Sequence, residues 1–175
     1  MRAPVDQPRL LEFLRALGHA ARQPGRLYLT GGASAVLVGW RTSTIDIDVA
    51  LSPSLEPLLK EFPALKERLS INVELASPSD FIPELPGWEQ RSVFVVREGL
   101  VDVFHYDFHA QALSKLERGH AKDLDDVAAM RRAGLVEPTQ LLALLSRIEP
   151  ELYRYPAVDP ATFRRSVEEF VGLMR

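Results

Sequence analysis

Apolar residues recur at helical spacing at the start of the chain and again through its last third, whereas short apolar runs bounded by turns fill the middle. An apolar face near the N-terminus, preceded by Asp6 as a helix cap, predicts the first helix. The short runs predict strands at 27–30, 45–51, 71–75, 92–96 and 100–106. Further helical patterns cover 33–38, 54–69, 110–118, 121–133 and 138–148. A last helix is predicted to begin at Asp159-Pro160 and to carry Met174 on its apolar face.

The order of these elements is α-β-α-β-α-β, a proline-rich loop at 76–91, two strands and then four helices. Because strands and helices do not alternate regularly, the order predicts an α+β fold. We divide the chain into residues 1–108, a sheet with its helices, and residues 109–175, a helical C-terminal part packed on the same domain. The loop carries large apolar side chains, which we expect on the core or in the lining of a pocket.

Composition narrows the possible chemistry. The chain has 175 residues, a net charge of −3 and no cysteine, which excludes disulfides, thiolate metal sites and a thiol nucleophile. No apolar run approaches the roughly 20 residues that span a bilayer, and the first ten residues lack the apolar segment of a secretory signal. We therefore expect a cytoplasmic protein with no membrane contact, in which any nucleic-acid binding would need a local basic patch.

Two aspartates alternate along the second predicted strand. Asp46 and Asp48 would point the same way, about 7 Å apart, while Ile45, Ile47 and Val49 would fill the other face. Two carboxylates that close repel each other unless a cation lies between them. Oxygen ligands favour Mg²⁺ or Mn²⁺, so this strand predicts a binding site for one of these ions.

Further candidate groups flank this strand. Gly31-Gly32 follows the first strand and predicts a turn whose backbone N–H groups can approach a phosphate closely. A third carboxylate on a nearby strand would complete the metal site. Glu74 and Asp102 both alternate with apolar neighbours on predicted strands, and the prediction favours Glu74.

His105, Asp107 and His109 also alternate and would form a metal-binding set on a continuous strand. The sequence after Asp107 turns helical, so we expect His109 to leave this row and the three residues not to share a metal.

The glycine pair, the Arg41 and Thr44 that follow it, and the D-x-D motif together resemble the nucleotidyltransferase superfamily of the DNA polymerase β type. The resemblance is closest to the AbiEii-like and DUF6036-like branch found in bacterial toxin–antitoxin and phage-defence loci. Residues 113–127, with Lys-Leu-x-Arg and Lys-Asp-x-x-Asp, are similar to a helix pair of that branch. Many members have Gly-Ser where this chain has Gly-Gly, so the serine that could contact a phosphate is Ser34, or there is none.

The resemblance implies a polymerase-β-type mixed sheet with flanking helices, in which Glu74 has the chain position of the third acid. It also implies that Lys115 reaches the nucleotide phosphates from an exposed helix position, and that Asp123 supports the site or holds this lysine. Asp126 is the less favoured partner of Lys115. Arg41 would hold a phosphate or pin the loop, and Thr44 would belong to the nucleotide-binding set.

The implied function is the Mg²⁺- or Mn²⁺-dependent transfer of a nucleoside monophosphate from an NTP to a hydroxyl group of a tRNA 3′ end or a protein. A cognate toxin or antitoxin would be a further partner. The alternative is a non-catalytic nucleotide-sensing or partner-binding module on a degenerate nucleotidyltransferase fold.

Overall fold

A computed structural model of the chain describes residues 2–172. The helices within this range are α1 Gln7–Ala20, α2 Gly31–Val38, α3 Phe62–Leu69, α4 Trp88–Arg91, α5 Phe108–Arg118, α6 Ala121–Arg132, α7 Pro138–Ile148 and α8 Pro160–Gly172. The 3-10 helices of residues 2–172 cover Pro53–Glu61, Pro78–Asp80 and Glu149–Arg154. The strands are β1 Gly25–Thr30, β2 Asp46–Leu51, β3 Asn72–Leu75, β4 Val93–Glu98 and β5 Val101–His105.

The strands form one mixed sheet in the order β3-β2-β1-β5-β4. Strand β1 runs antiparallel to β2 and parallel to β5. Strands β2 and β3 are parallel, and β4 and β5 form an antiparallel hairpin. The structure confirms the predicted α+β class, including the helical C-terminal part.

The core covers one face of this sheet. On β2, for example, Ile47 and Val49 are fully buried in the same apolar cluster as Leu27 and Leu29 of β1. Helix α1 adds its apolar face to this cluster, and the Asp6 side chain accepts a hydrogen bond from the Arg9 backbone N–H at 3.0 Å, as expected of a helix cap. Because side chains alternate along a strand, the polar positions of β1, β2 and β3 share the opposite face.

Several local predictions were wrong. Helix α2 begins directly at Gly31, because this glycine adopts a φ of +56° that turns the strand at once into the helix. Ile45 is 59% exposed and precedes β2, so it does not join the core. Strand β4 continues to Glu98, past the predicted end at residue 96, and the turn to β5 lies at Gly99-Leu100.

The residues divide into two compact units. The first comprises residues 2–77 and 92–106, and the second comprises residues 78–91 and 107–172. Within the predicted loop at 76–91, Pro78–Asp80 and Trp88–Arg91 are helical, and Ile82 and Leu85 are buried. In the second unit α5 contacts α6, α7 and α8. The predicted division at residue 108 stays a prediction, and Met174 lies outside the described residues.

Within residues 2–172, no helix has both the length and the apolar character needed to cross a membrane.

Candidate functional site

Asp46 and Asp48 lie on the polar face of β2 and are partly buried. The register pairs Asp48 with Thr30 on β1 and with Glu74 on β3. Directly paired residues lie about 5 Å apart in a sheet. The fold therefore brings Asp46, Asp48 and Glu74 together on adjacent strands of the first unit.

Asn72 joins two of these carboxylates. It is paired with Asp46 in the sheet register, and its Nδ2 donates to Asp46 Oδ1 at 2.6 Å and to Glu74 Oε1 at 3.0 Å. Asn72 was not among the site residues predicted from the sequence. The available signal was its position two residues before Glu74, which places both side chains on one face of the strand.

The two glycines leave space beside Asp48 and Thr44. A β-carbon on Gly31 would lie 3.2 Å from Asp48 Oδ2, and one on Gly32 would collide with the Thr44 side chain. The glycine pair forms the start of α2 rather than a separate turn. Backbone N–H groups in the first turn of a helix lack intrahelical partners, so this end favours an anion.

Thr44 and Arg41 approach the same helix start. Thr44 is buried, and its Oγ1 donates to the Asp46 carbonyl oxygen at 3.0 Å. Thr44 therefore holds the start of β2 in place. The Arg41 Nη1 lies 3.4 Å from the position of a β-carbon on Gly32. Arg41 is thus close enough to the first turn of α2 either to hold a phosphate or to pin the loop.

Ser34 points into the first unit. It is fully buried, and its Oγ donates to the Leu29 carbonyl oxygen at 3.1 Å and lies 2.9 Å from His105 Nδ1. The Ser34 hydroxyl and His105 Nδ1 share a hydrogen bond whose direction follows the ring tautomer of His105. The burial of Ser34 argues against the predicted contact with a phosphate.

His105 is buried in the first unit. Burial of its ring lowers the pKa of His105 from 6.5 to about 4, because the charged form loses its hydration. His105 is therefore neutral at pH 7 and supports the fold through Ser34.

This buried histidine makes stability depend on pH. The pKa in the unfolded chain lies above the folded value, so the contribution of His105 is complete above about pH 6.5 and is lost as the pH falls toward 4. His105→Asn keeps a hydrogen-bond partner for Ser34 but does not titrate. Between pH 7 and 4 the wild type should lose roughly 2 to 3 kcal/mol more unfolding free energy than the variant. Urea unfolding at several pH values measures this difference, and parallel pH profiles would contradict it.

Asp102, on β5, forms an ion pair with Arg97 of β4. Its two carboxylate oxygens accept from Arg97 Nε at 2.6 Å and Arg97 Nη2 at 3.0 Å, and this hydrogen bonding holds the pKa of Asp102 below its usual value. Strand β1 separates β5 from β2. Of the two candidates, Glu74 is therefore the acid that neighbours Asp48.

Lys115 is buried in the second unit. It is only 5% exposed, and its Nζ donates to Asp126 Oδ2 at 2.9 Å and to Asp123 Oδ1 at 3.2 Å. Arg118 Nη2 also donates to Asp123 Oδ1, at 3.0 Å. The predicted exposed position of Lys115 was wrong, because helices α5 and α6 enclose its ammonium group between two carboxylates. Asp126, the less favoured partner, is the nearer one.

Asp107 and His109 lie at the start of α5. Asp107 accepts from Arg91 Nη2 at 2.7 Å and from the His109 backbone N–H at 3.0 Å. His109 Nε2 accepts from the Glu137 backbone N–H at 3.1 Å. These contacts assign both side chains to the capping and packing of α5.

No group of three or more His, Cys, Asp or Glu side chains among residues 2–172 is arranged to hold a metal ion as it stands. For the three acids of the sheet, the Asn72 amide supplies a physical reason, since its nitrogen lies between Asp46 and Glu74. An N–H donor in this position cannot ligate a cation.

The mixed sheet, the D-x-D strand and the adjoining glycine pair define a protein of the nucleotidyltransferase type. A family model described as a nucleotidyltransferase of unknown function (DUF6036) matches residues 9–162, and the chain belongs to this family. This match confirms the resemblance to a nucleotidyltransferase family, while a relation to the AbiEii-like proteins stays a prediction. No curated protein and no solved structure matches the chain.

Proposed function

We propose that this protein transfers a nucleoside monophosphate from an NTP to a hydroxyl acceptor in a reaction that depends on Mg²⁺ or Mn²⁺. The observation that carries the proposal is the placement of Asp46 and Asp48 on one face of β2, with Glu74 in register with Asp48. Carboxylates on adjacent strands are suited to the transfer of a phosphoryl-type group, because that chemistry depends on positioning and charge neutralisation.

The donor set fits a hard cation by type. Asp46, Asp48 and Glu74 would hold Mg²⁺ or Mn²⁺ through oxygen alone, and the missing β-carbon of Gly31 leaves room beside Asp48 Oδ2. When bound, the ion would neutralise the triphosphate and stabilise the attacking and leaving oxygens. The Asn72 amide nitrogen must first leave the space between Asp46 and Glu74.

The remaining groups of the first unit supply binding and proton transfer. The backbone N–H groups at the start of α2 are suited to the negative oxygens of the triphosphate, and Arg41 would hold a phosphate beside them. One carboxylate of the set, Glu74 by position, would accept the proton of the attacking hydroxyl. The bond from that hydroxyl oxygen to the α-phosphorus forms as the bond to pyrophosphate breaks.

Lys115 and Asp123 are the residues of the second unit for which the sequence predicted a role in the site. The resemblance implied that Lys115 contacts phosphates, but its burial and two ion pairs favour a structural task. We infer that Lys115 joins α5 to α6, with Asp123 and Asp126 fixing its ammonium group.

The acceptor and the biological role rest on the resemblance alone. We propose a tRNA 3′ end or a protein hydroxyl as acceptor, in a cytoplasmic toxin–antitoxin or phage-defence system with a cognate toxin or antitoxin as partner. The Asn72 bridge favours a second candidate function, a nucleotide-sensing module without catalysis. That module would bind an NTP and release no pyrophosphate.

The third acid provides a test of the proposal. Glu74→Gln should lower transfer by at least about a hundredfold, because it removes a charge beside Asp48 and the proposed base. Asp102→Asn should leave transfer within about twofold, since Asp102 pairs with Arg97, whose side chain is 69% exposed. Both variants should keep the wild-type melting temperature within a few degrees. Equal, mild effects on transfer would contradict a three-carboxylate site.

A further inference from the structure

Asn72 is placed to respond to the cation of the proposed site. Its backbone is fixed in β3 between the buried Ile71 and Val73, and its pairing with Asp46 aims the side chain along the polar face of the sheet. One nitrogen, Nδ2, bridges a carboxylate on β2 and a carboxylate on its own strand.

The two ends of a carboxamide have opposite preferences. Asp46 and Glu74 are acceptors when ionised, so without a cation the NH₂ end faces them and partly offsets their repulsion. A cation between the same carboxylates repels NH₂ and is ligated only by oxygen. A half-turn of the Asn72 amide about its last side-chain bond would exchange Nδ2 for Oδ1 at nearly the same place, with no movement of the strand.

We propose that Asn72 is both the positioning residue of the empty site and an oxygen ligand of the filled one. Without metal, Nδ2 holds Asp46 and Glu74 together. When Mg²⁺ or Mn²⁺ binds, the amide turns and Oδ1 joins the carboxylates. This inference rests on the proposed function, because it takes the metal site of that function as given.

The two proposed roles of Asn72 predict how substitutions at this position change metal binding. Asn72→Ala removes both the bridge and the ligand oxygen. Asn72→Asp removes the bridge but supplies an anionic oxygen at the same distance from the backbone, so it should rescue metal binding while adding like-charge repulsion to the empty site. An opposite result for Asn72→Ala is expected of a residue that only blocks the site, because its removal would then free the carboxylates.

The experiment titrates Mn²⁺ alone into the whole protein by calorimetry, for the wild type, Asn72→Ala and Asn72→Asp. Asn72→Ala should bind Mn²⁺ about tenfold more weakly than the wild type, and Asn72→Asp should bind at least as tightly as the wild type. Circular dichroism checks that each variant is folded. Should Asn72→Ala fail to fold, the response of the wild-type Asn72 amide to Mg²⁺ still tests the ligand role.

A second readout follows the amide itself. In ¹⁵N-labelled protein, the side-chain NH₂ resonances that are missing in Asn72→Asp identify Asn72, and Mg²⁺ should shift them strongly because both hydrogen bonds to carboxylates are lost. Equal or tighter Mn²⁺ binding by Asn72→Ala, or an unshifted amide at saturating Mg²⁺, would overturn the inference alone. Failure of the wild type to bind Mn²⁺ would overturn the proposed metal site and the inference with it.

Discussion

Lys115→Met is expected to lower the free energy of unfolding by about 3 to 5 kcal/mol, the usual cost of removing one partner from a buried ion pair. Methionine fills a volume similar to that of lysine, so the lost stability comes from removal of the charge. The carboxylates of Asp123 and Asp126 are both buried, and the variant leaves them without the ammonium group that lies 3.2 and 2.9 Å away. Chemical denaturation followed by circular dichroism measures the change.

Lys122→Met is the matched control, because it makes the same substitution at an exposed position of α6. It should change the free energy of unfolding by less than about 0.5 kcal/mol. Lys115→Arg should recover part of the stability, since a guanidinium group can still pair with both carboxylates. If Lys115→Met keeps wild-type stability but loses NTP affinity, the phosphate contact implied by the resemblance is correct and the structural role is wrong.

Asp46→Asn and Asp48→Asn are each expected to weaken Mg²⁺ or Mn²⁺ binding at least about tenfold in the presence of nucleotide, which is about 1.4 kcal/mol. Each variant keeps the shape of the side chain and removes one of the charges that attract the ion. Transfer should fall further than binding, because the carboxylates also position the reacting phosphate. Isothermal titration calorimetry measures the affinity.

Asp125→Asn makes the same change at an exposed position of α6 and serves as the control. It should leave both metal affinity and transfer at wild-type values. Wild-type metal binding in Asp46→Asn and in Asp48→Asn would contradict the metal-dependent site.

Most of the fold could be predicted because its signals are local. The apolar spacing and the Asp6 cap specify α1, and the alternation around Ile47 and Val49 specifies β2 together with the shared face of its two aspartates. The start of α2 was misplaced because a glycine pair is compatible with either a turn or a helix. Gly31 makes the turn with its left-handed φ, and α2 follows without an intervening loop.

The parts of the site that were missed depend on contacts between residues distant in the chain. His105 meets Ser34 only because β5 pairs with β1, and this contact turns a candidate phosphate ligand into a buried structural hydroxyl. The bridge from Asn72 to Asp46 likewise requires the parallel pairing of β3 with β2. Lys115 was taken as exposed because a charged residue on a helix usually is.

Nucleotidyl transfer is measured most directly by following a label on the α-phosphate of the NTP. The protein is incubated with each of the labelled NTPs, Mg²⁺, and either total tRNA or a protein extract, and the products are separated by size. The wild type should move label from at least one NTP onto tRNA or protein and release pyrophosphate, and Asp46→Asn should do neither. Binding of an NTP with no label on either class of acceptor and no pyrophosphate released would contradict the enzyme and favour the nucleotide-sensing module.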